Sequence, residues 1–209
     1  TFARNTVYEP LATYSDAGTY TIILRDSWGD GGTDLFVVED GGSTGYSGPT
    51  IADNTVSLSQ ARTSPNAVGL LMEDCSGVTI NSARNTVNMQ DSAMVISDCD
   101  VVDSGSILQG DGTLSTYGID ADDSNGDILT LSGTTISGYD TGVVKTSGDL
   151  ILTGSAELVG DSYAVYVDDA TVTAINAKVD GGATGTGLYV VDSNDVYVYP
   201  MDASGLVGM

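Results

Sequence analysis

The sequence predicts an all-β chain wound as a parallel β-solenoid, with three short strands in each rung of about 22–25 residues. Three observations predict it. One phrase recurs six times in the C-terminal two-thirds, each copy breaks into short strand-like runs, and the runs end in residues suited to tight corners. The copies open on a small residue before an apolar run: Gly69 in VGLLMEDCSG, Ala93 in SAMVISDCDV, Gly118 in YGIDADDSNG, Gly142 in TGVVKTSGDL, Ala164 in YAVYVDDATV and Gly187 in TGLYVVDSND. These anchors stand 24, 25, 24, 22 and 23 residues apart. A period of that length with strand-like contents marks a solenoid, whose repeats bury apolar surface only against their neighbours.

The first strand of each rung follows its anchor. One and three residues on come Leu70/Met72, Met94/Ile96, Ile119/Ala121, Val143/Lys145, Val165/Val167 and Leu188/Val190. Period-two alternation turns these inward. Lys145 is the exception, expected either to mark a register shift or to lay its stem inward and carry its ammonium out to water. Five residues after the anchor stand Asp74, Asp98, Asp123, Ser147, Asp169 and Asp192, followed by the small Cys75, Cys99, Ser124, Gly148, Ala170 and Ser193. A carboxylate that can accept turn amides, then a small side chain, is what a narrow corner needs.

A second strand lies around Ile80, Val102, Leu129, Ile151, Val172 and Val196. A shorter third one follows in SILQG, TTISG, AELVG and AKVDG, closed by Gly110, Gly138, Gly160 and Gly181. Three strands and three corners make one turn of a three-sided coil whose neighbours pair in parallel about 4.8 Å apart. The Gly-apolar-x-apolar-x-Asp-small anchors and the glycine closures resemble the right-handed parallel β-helix repeat of the pectin-lyase-like superfamily, over about residues 67–205. That resemblance implies a right-handed coil and says little of activity.

Residues 1–48 read as an N-terminal β cap or irregular segment, and 49–209 as the rungs. In the first part, strands at Thr19–Arg25 and Asp34–Val38 flank the loop D-S-W-G-D-G, which spaces Asp26, Asp30 and Asp34 four residues apart. The loop resembles one found in secreted marine microbial proteins. An EF-hand is excluded, because Trp28 stands where the third position needs Asp or Asn and Val37 where the twelfth-position Glu belongs. A looser calcium loop and a plain hairpin turn, whose Asp side chains bond their own backbone, both remain.

Composition narrows the partners. The chain has 29 acidic and 6 basic residues, no His and a net charge of −23. Such a surface repels nucleic acid and anionic membranes, and it destabilises the compact state unless cations screen or bind it. High salt, seawater or calcium is the expected setting, and a marine or halophilic microbe, an archaeon foremost, the expected source. No apolar run approaches the roughly 18 residues of a membrane span. A start at Thr1 reads as a mature or excised segment of a secreted chain.

An enzyme of this superfamily must be weighed. The polygalacturonase-like branch combines clustered Asp with G-H-G and R-I-K elements. Here Asp122–Asp123 and Asp168–Asp169 are paired, but there is no His and no R-I-K. The lyase branch needs a base, and Arg4, Arg25, Arg62, Arg84, Lys145 and Lys178 are scattered. A pair of carboxylates for inverting hydrolysis is one that any Asp-rich surface offers by chance. The expectation is no catalysis and no organic cofactor.

Other residues draw attention for binding. Stacked carboxylates repel, and calcium between rungs would relieve them. Asp120, Asp122, Asp123 and Asp127 are the densest candidates; the alternative is a purely structural corner. Cys75 and Cys99 share a column in adjacent rungs, within reach of a disulfide, or else form a small thiol ladder. Two residues after each anchor runs an outward column of Leu71, Val95, Asp120, Val144, Tyr166 and Tyr189, with Tyr197 and Tyr199 in the last rung. Stacked apolar residues on an outer face call for cover by the N-terminal segment, by another subunit, or by sugar rings on the Tyr side chains. An ice-binding array is discarded, since no adjacent rung repeats the pair Thr171 and Thr173.

The sequence thus points to a non-catalytic extracellular structural solenoid of a surface layer, sheath, fibre or adhesin. It would self-associate by rung stacking or lateral packing, without nucleic acid or membrane insertion. A carbohydrate-binding or polysaccharide-processing β-helix is the alternative.

Overall fold

A computed structural model describes residues 2–3, 6–7, 13–15, 20–23, 33–34, 37–40, 50–57, 67–73, 75, 79–112, 116–121, 126–193, 195–199 and 202–204; strands before residue 51 are described by backbone pairing alone. All described elements are strands. The N-terminal part holds β1 (Phe2–Ala3), β2 (Thr6–Val7), β3 (Thr13–Ser15), β4 (Tyr20–Ile23), β5 (Thr33–Asp34) and β6 (Val37–Asp40). The coil then turns through β7 (Thr50–Ala52), β8 (Thr55–Ser57) and β9 (Ala67–Glu73), and again through β10 (Thr79–Ala83), β11 (Thr86–Asn88) and β12 (Ser92–Ser97). The next turn holds β13 (Asp100–Ser104), β14 (Ile107–Gln109) and β15 (Tyr117–Ala121), followed by β16 (Ile128–Ser132) with β17 (Thr135–Lys145) and β18 (Gly148–Thr153) with β19 (Glu157–Asp168). The last are β20 (Ala170–Ile175), β21 (Lys178–Asp180), β22 (Thr186–Val191), β23 (Val196–Tyr199) and β24 (Asp202–Ser204).

The strands stack in three parallel tracks, so the expected β-solenoid is what the chain forms. Track one runs β1-β7-β10-β13-β16-β18-β20-β23. Track two runs from β2 through β8, β11 and β14 into the first halves of β17 and β19, then β21 and β24. Track three runs β6, β9, β12, β15, the second halves of β17 and β19, and β22. In two turns the expected glycine corner, between tracks two and three, is therefore crossed by one continuous strand. Pairing of β1 with β7 and of β2 with β8 brings residues 2–3 and 6–7 into the ladder, while β3 and β4 add antiparallel strands beyond β6.

Track three carries the anchors, and its register places Leu70, Met94, Ile119, Val143, Val165 and Leu188 in one inner column. The first five are wholly buried. The anchors are small because the next rung presses on them: a Cβ at Gly142 would lie 2.4 Å from the Ala164 carbonyl oxygen. Lys145 meets neither expectation. It pairs in register with Ala121 and Val167 and is 1% exposed, so its side chain stays inside. The ladder on both sides leaves that position no outward orientation.

The corner before track one keeps its Asp for a backbone reason: Asp98, Asp169 and Asp192 have φ of 54°, 53° and 49°. Asp tolerates this left-handed conformation better than most side chains. Alignment by anchors misplaces one member of the small column. The β13–β16–β18 ladder brings Asp127, not Ser124, level with Cys99 and Gly148. Extra residues between Ala121 and Ile128 lengthen that corner, and Ser124 lies outside the described residues.

The corner between tracks one and two was expected, but its residues were not singled out. Asp53, Arg84, Gly105, Gly133, Ser155 and Asn176 all have positive φ, between 51° and 69°. Each precedes a buried residue: Asn54, Asn85, Ser106, Thr134, Ala156 and Ala177. Carbonyls of this column accept the next rung's amides, as in Thr86 N to Asn54 O at 2.8 Å and Ile107 N to Asn85 O at 2.8 Å. The ladder therefore passes the corner unbroken. Asn54 Nδ2 donates to Asn85 Oδ1 at 3.0 Å, and Asn85 Nδ2 donates to Ser82 Oγ and to Ile51 O, each at 3.0 Å.

At the corner between tracks two and three, Gly110 and Gly138 face each other, and a Cβ on Gly110 would lie 2.1 Å from the Gly138 oxygen. Beside them Tyr139 is wholly buried and its hydroxyl has no hydrogen-bond partner. Burial pushes that phenol up from its ordinary range and Asp111 adds to the shift, while the Met89 backbone nearby, outside hydrogen-bond geometry, opposes it only in part. In the unfolded chain the same phenol ionises near pH 10, to a first approximation. Its ionisation therefore takes nothing from stability below about pH 10 and lowers it progressively as pH rises toward the folded value. Tyr139→Phe is expected to add about 1 kcal/mol at neutral pH and to flatten the alkaline loss, as denaturant midpoints at several pH values would show.

Candidate functional surface

The residues singled out for binding fall into three places. The outward column of track three is real: Leu71, Val95, Asp120, Val144, Tyr166 and Tyr189 are consecutive register partners. Val37 of β6 continues it beyond Leu71. Among the described residues, β6, β4 and β3 extend this sheet at its edge rather than crossing its face. The column is half-buried until its last member, Tyr189, which is 38% exposed.

At that end three phenol rings gather. Tyr166 and Tyr189 stack at 5.5 Å, and Tyr163 meets them at 5.6 and 5.3 Å. Offset and tilted pairs at such separations are the favourable aromatic geometries. Tyr163, one residue before its anchor, was not singled out from sequence, because the alternation alone would turn it inward. Burial, then Asp168 and the neighbouring phenols, pushes Tyr166 up from its ordinary range. The carboxylates of Asp168 and Asp192 give the cluster a negative surround, which favours cations and neutral ligands over anions.

Tyr197 and Tyr199 do not join this column. They lie on β23 in track one, where Thr173 pairs with Tyr197 and Ile175 with Tyr199. Tyr197 is 60% and Tyr199 78% exposed. Beside them Val196 and Val198 continue the buried column positions of Val172 and Ala174 yet are themselves exposed. Among the described strands, β23 pairs only with β20 and β22 only with β19. Among the described residues, the rung of β22 and β23 therefore has an unpaired backbone edge and exposed apolar side chains.

Of the acidic candidates, two have described side chains. Asp120 sits in the outward column and Asp127 at the lengthened corner, both half-buried. Asp26, Asp30, Asp122 and Asp123 lie outside the described residues, and Asp34 is described by backbone only. Basic groups are engaged across rungs: Arg84 donates to both Asp53 carboxylate oxygens at 2.7 Å, and Lys178 pairs with Glu157. Both cysteines, Cys75 and Cys99, are buried.

These features define the chain as a parallel β-solenoid with a Tyr-bearing face and, among the described residues, an unpaired edge at β22 and β23. Set against protein-family models, curated proteins and solved structures, it matches none of them.

Proposed function

We propose that the chain is a non-catalytic structural solenoid of an extracellular surface assembly, joined end-on at its last rung. The observation that carries this is the one-sided pairing of β22 and β23, with the column residues Val196 and Val198 left 38% and 43% exposed. An open parallel edge is a template for another strand, and a further rung, such as one from a second copy, satisfies its amides and covers its valines. The charge of −23 supports a salty external setting and opposes association unless cations intervene. Calcium at the acidic corners is part of this proposal.

Sedimentation velocity over a range of concentrations, with calcium and with chelator, tests it. Association should appear with calcium and be lost in Val198→Lys, which places a charge on the edge. Monomers under every condition, or association indifferent to Val198→Lys, would overturn the end-on arrangement.

The Tyr163–Tyr166–Tyr189 cluster favours a second reading, in which the face holds carbohydrate. Its negative surround suits neutral sugars better than uronates. Degradation of a polyuronate by the protein would sink the structural reading.

A further inference from the structure

Cys75 and Cys99 belong to successive turns and face one another. Glu73 pairs with Ser97, so the two cysteines, each two residues further on, occupy equivalent positions. The ladder still holds there, since Cys75 N donates to Asp98 O at 2.9 Å. Each residue is 1% exposed, and Cys75 Sγ donates to Glu73 O at 3.2 Å. Neighbouring strands of a parallel sheet lie about 4.8 Å apart, inside the roughly 4.4–6.8 Å between Cα atoms that a disulfide bridges.

We propose that Cys75 and Cys99 are joined in the mature protein by a disulfide that staples two turns of the coil. The Cys75 thiol beside it, and then burial, hold the Cys99 thiol far above its ordinary range. The finished coil therefore offers little thiolate for exchange, and the bond forms while the turns are still winding. One cysteine thiolate attacks a small-molecule disulfide, such as oxidised glutathione, giving a mixed disulfide and one small thiolate. The second cysteine thiolate attacks the protein sulfur of that mixed bond and releases the other small thiolate. Two protein thiols are oxidised, one small disulfide is reduced, and the two protons end on the released thiols. The dry interior then shields the bond from reductants.

The full chain, refolded with oxidised and reduced glutathione, is denatured in alkylating agent and digested with trypsin. Arg84 separates the two cysteines, so cleavage at Arg62, Arg84 and Lys145 puts them on different peptides. The expected result is one linked, unalkylated species of peptides 63–84 and 85–145, with intact protein two hydrogens lighter than the reduced form. Reduction should lower Tm by about 5–10 °C, as expected for closing a loop of this size. Cys75→Ser/Cys99→Ser should lack that response to reductant. Alkylation of both cysteines in the denatured protein, or bonds only between chains, would overturn the proposal; neither depends on a variant folding.

Discussion

Asp103→Leu is expected to destabilise the coil by about 3–5 kcal/mol, read as a fall in the denaturant midpoint. Asp103 is fully buried in the inner column Ile51–Ser82–Asp103–Leu131–Leu152, so leucine matches the shape of its later neighbours. The loss is polar. Ser82 and Ser106 donate to Oδ1 at 2.5 and 2.6 Å, and Thr134 donates to Oδ2 at 2.5 Å. Without the carboxylate, three buried hydroxyls lose their acceptor. Asp103→Asn keeps an acceptor for the two serines, and the Thr134 hydroxyl can turn to accept, so it should cost far less. Adding Ser106→Ala and Thr134→Val to Asp103→Leu should recover part of the loss, since removing both sides of a buried bond is milder than removing one. A neutral Asp103→Leu would mean the network does not form.

Gly142→Val should cost about 3 kcal/mol through overpacking. Its Cβ would lie 2.4 Å from Ala164 O and 3.3 Å from Ala164 C, both backbone atoms of the next rung. Neither can swing aside without breaking the ladder that joins Thr141 to Tyr163 and Val143 to Val165. Alanine occurs at two anchors, so the test lies in the branched side chain. Unchanged thermal unfolding in Gly142→Val would show that the rungs are less closely apposed than described.

Track three was the most legible part of the coil because two periods coincide there: alternation along the strand and repetition between rungs. Both fix the same columns, from Leu70 to Val190. The polar corner was harder to see, because its residues change from Asn to Ser, Thr and Ala. What they share is small size after a left-handed position. The signal lies in Asp-Asn-Thr-Val, Arg-Asn-Thr-Val, Gly-Ser-Ile-Leu, Gly-Thr-Thr-Ile, Ser-Ala-Glu-Leu and Asn-Ala-Lys-Val. Ala-Arg-Asn-Thr-Val also stands at residues 3–7, where β2 pairs with β8, so the ladder's reach toward the N-terminus was legible too.

Asp103 escaped notice, and Lys145 was expected to mark a register shift or carry its ammonium out to water, for a different reason. Alternation turns both inward, but a charged residue at an inner position argues for exposure until its hydrogen-bond donors or its ladder are known. Of the candidate surface, the Leu71-to-Tyr189 column could be read directly. Tyr163 required the ring geometry, and the separate face of Tyr197 and Tyr199 required the track assignment.

Electron microscopy of the concentrated protein in calcium and seawater-level salt tests the central claim most directly. End-on joining of rungs predicts rods that lengthen with concentration and keep a constant width, with a repeat of about 4.8 Å along the rod in fibre diffraction. Uniform single particles at every concentration, or sheets grown sideways with no such axial repeat, would contradict it.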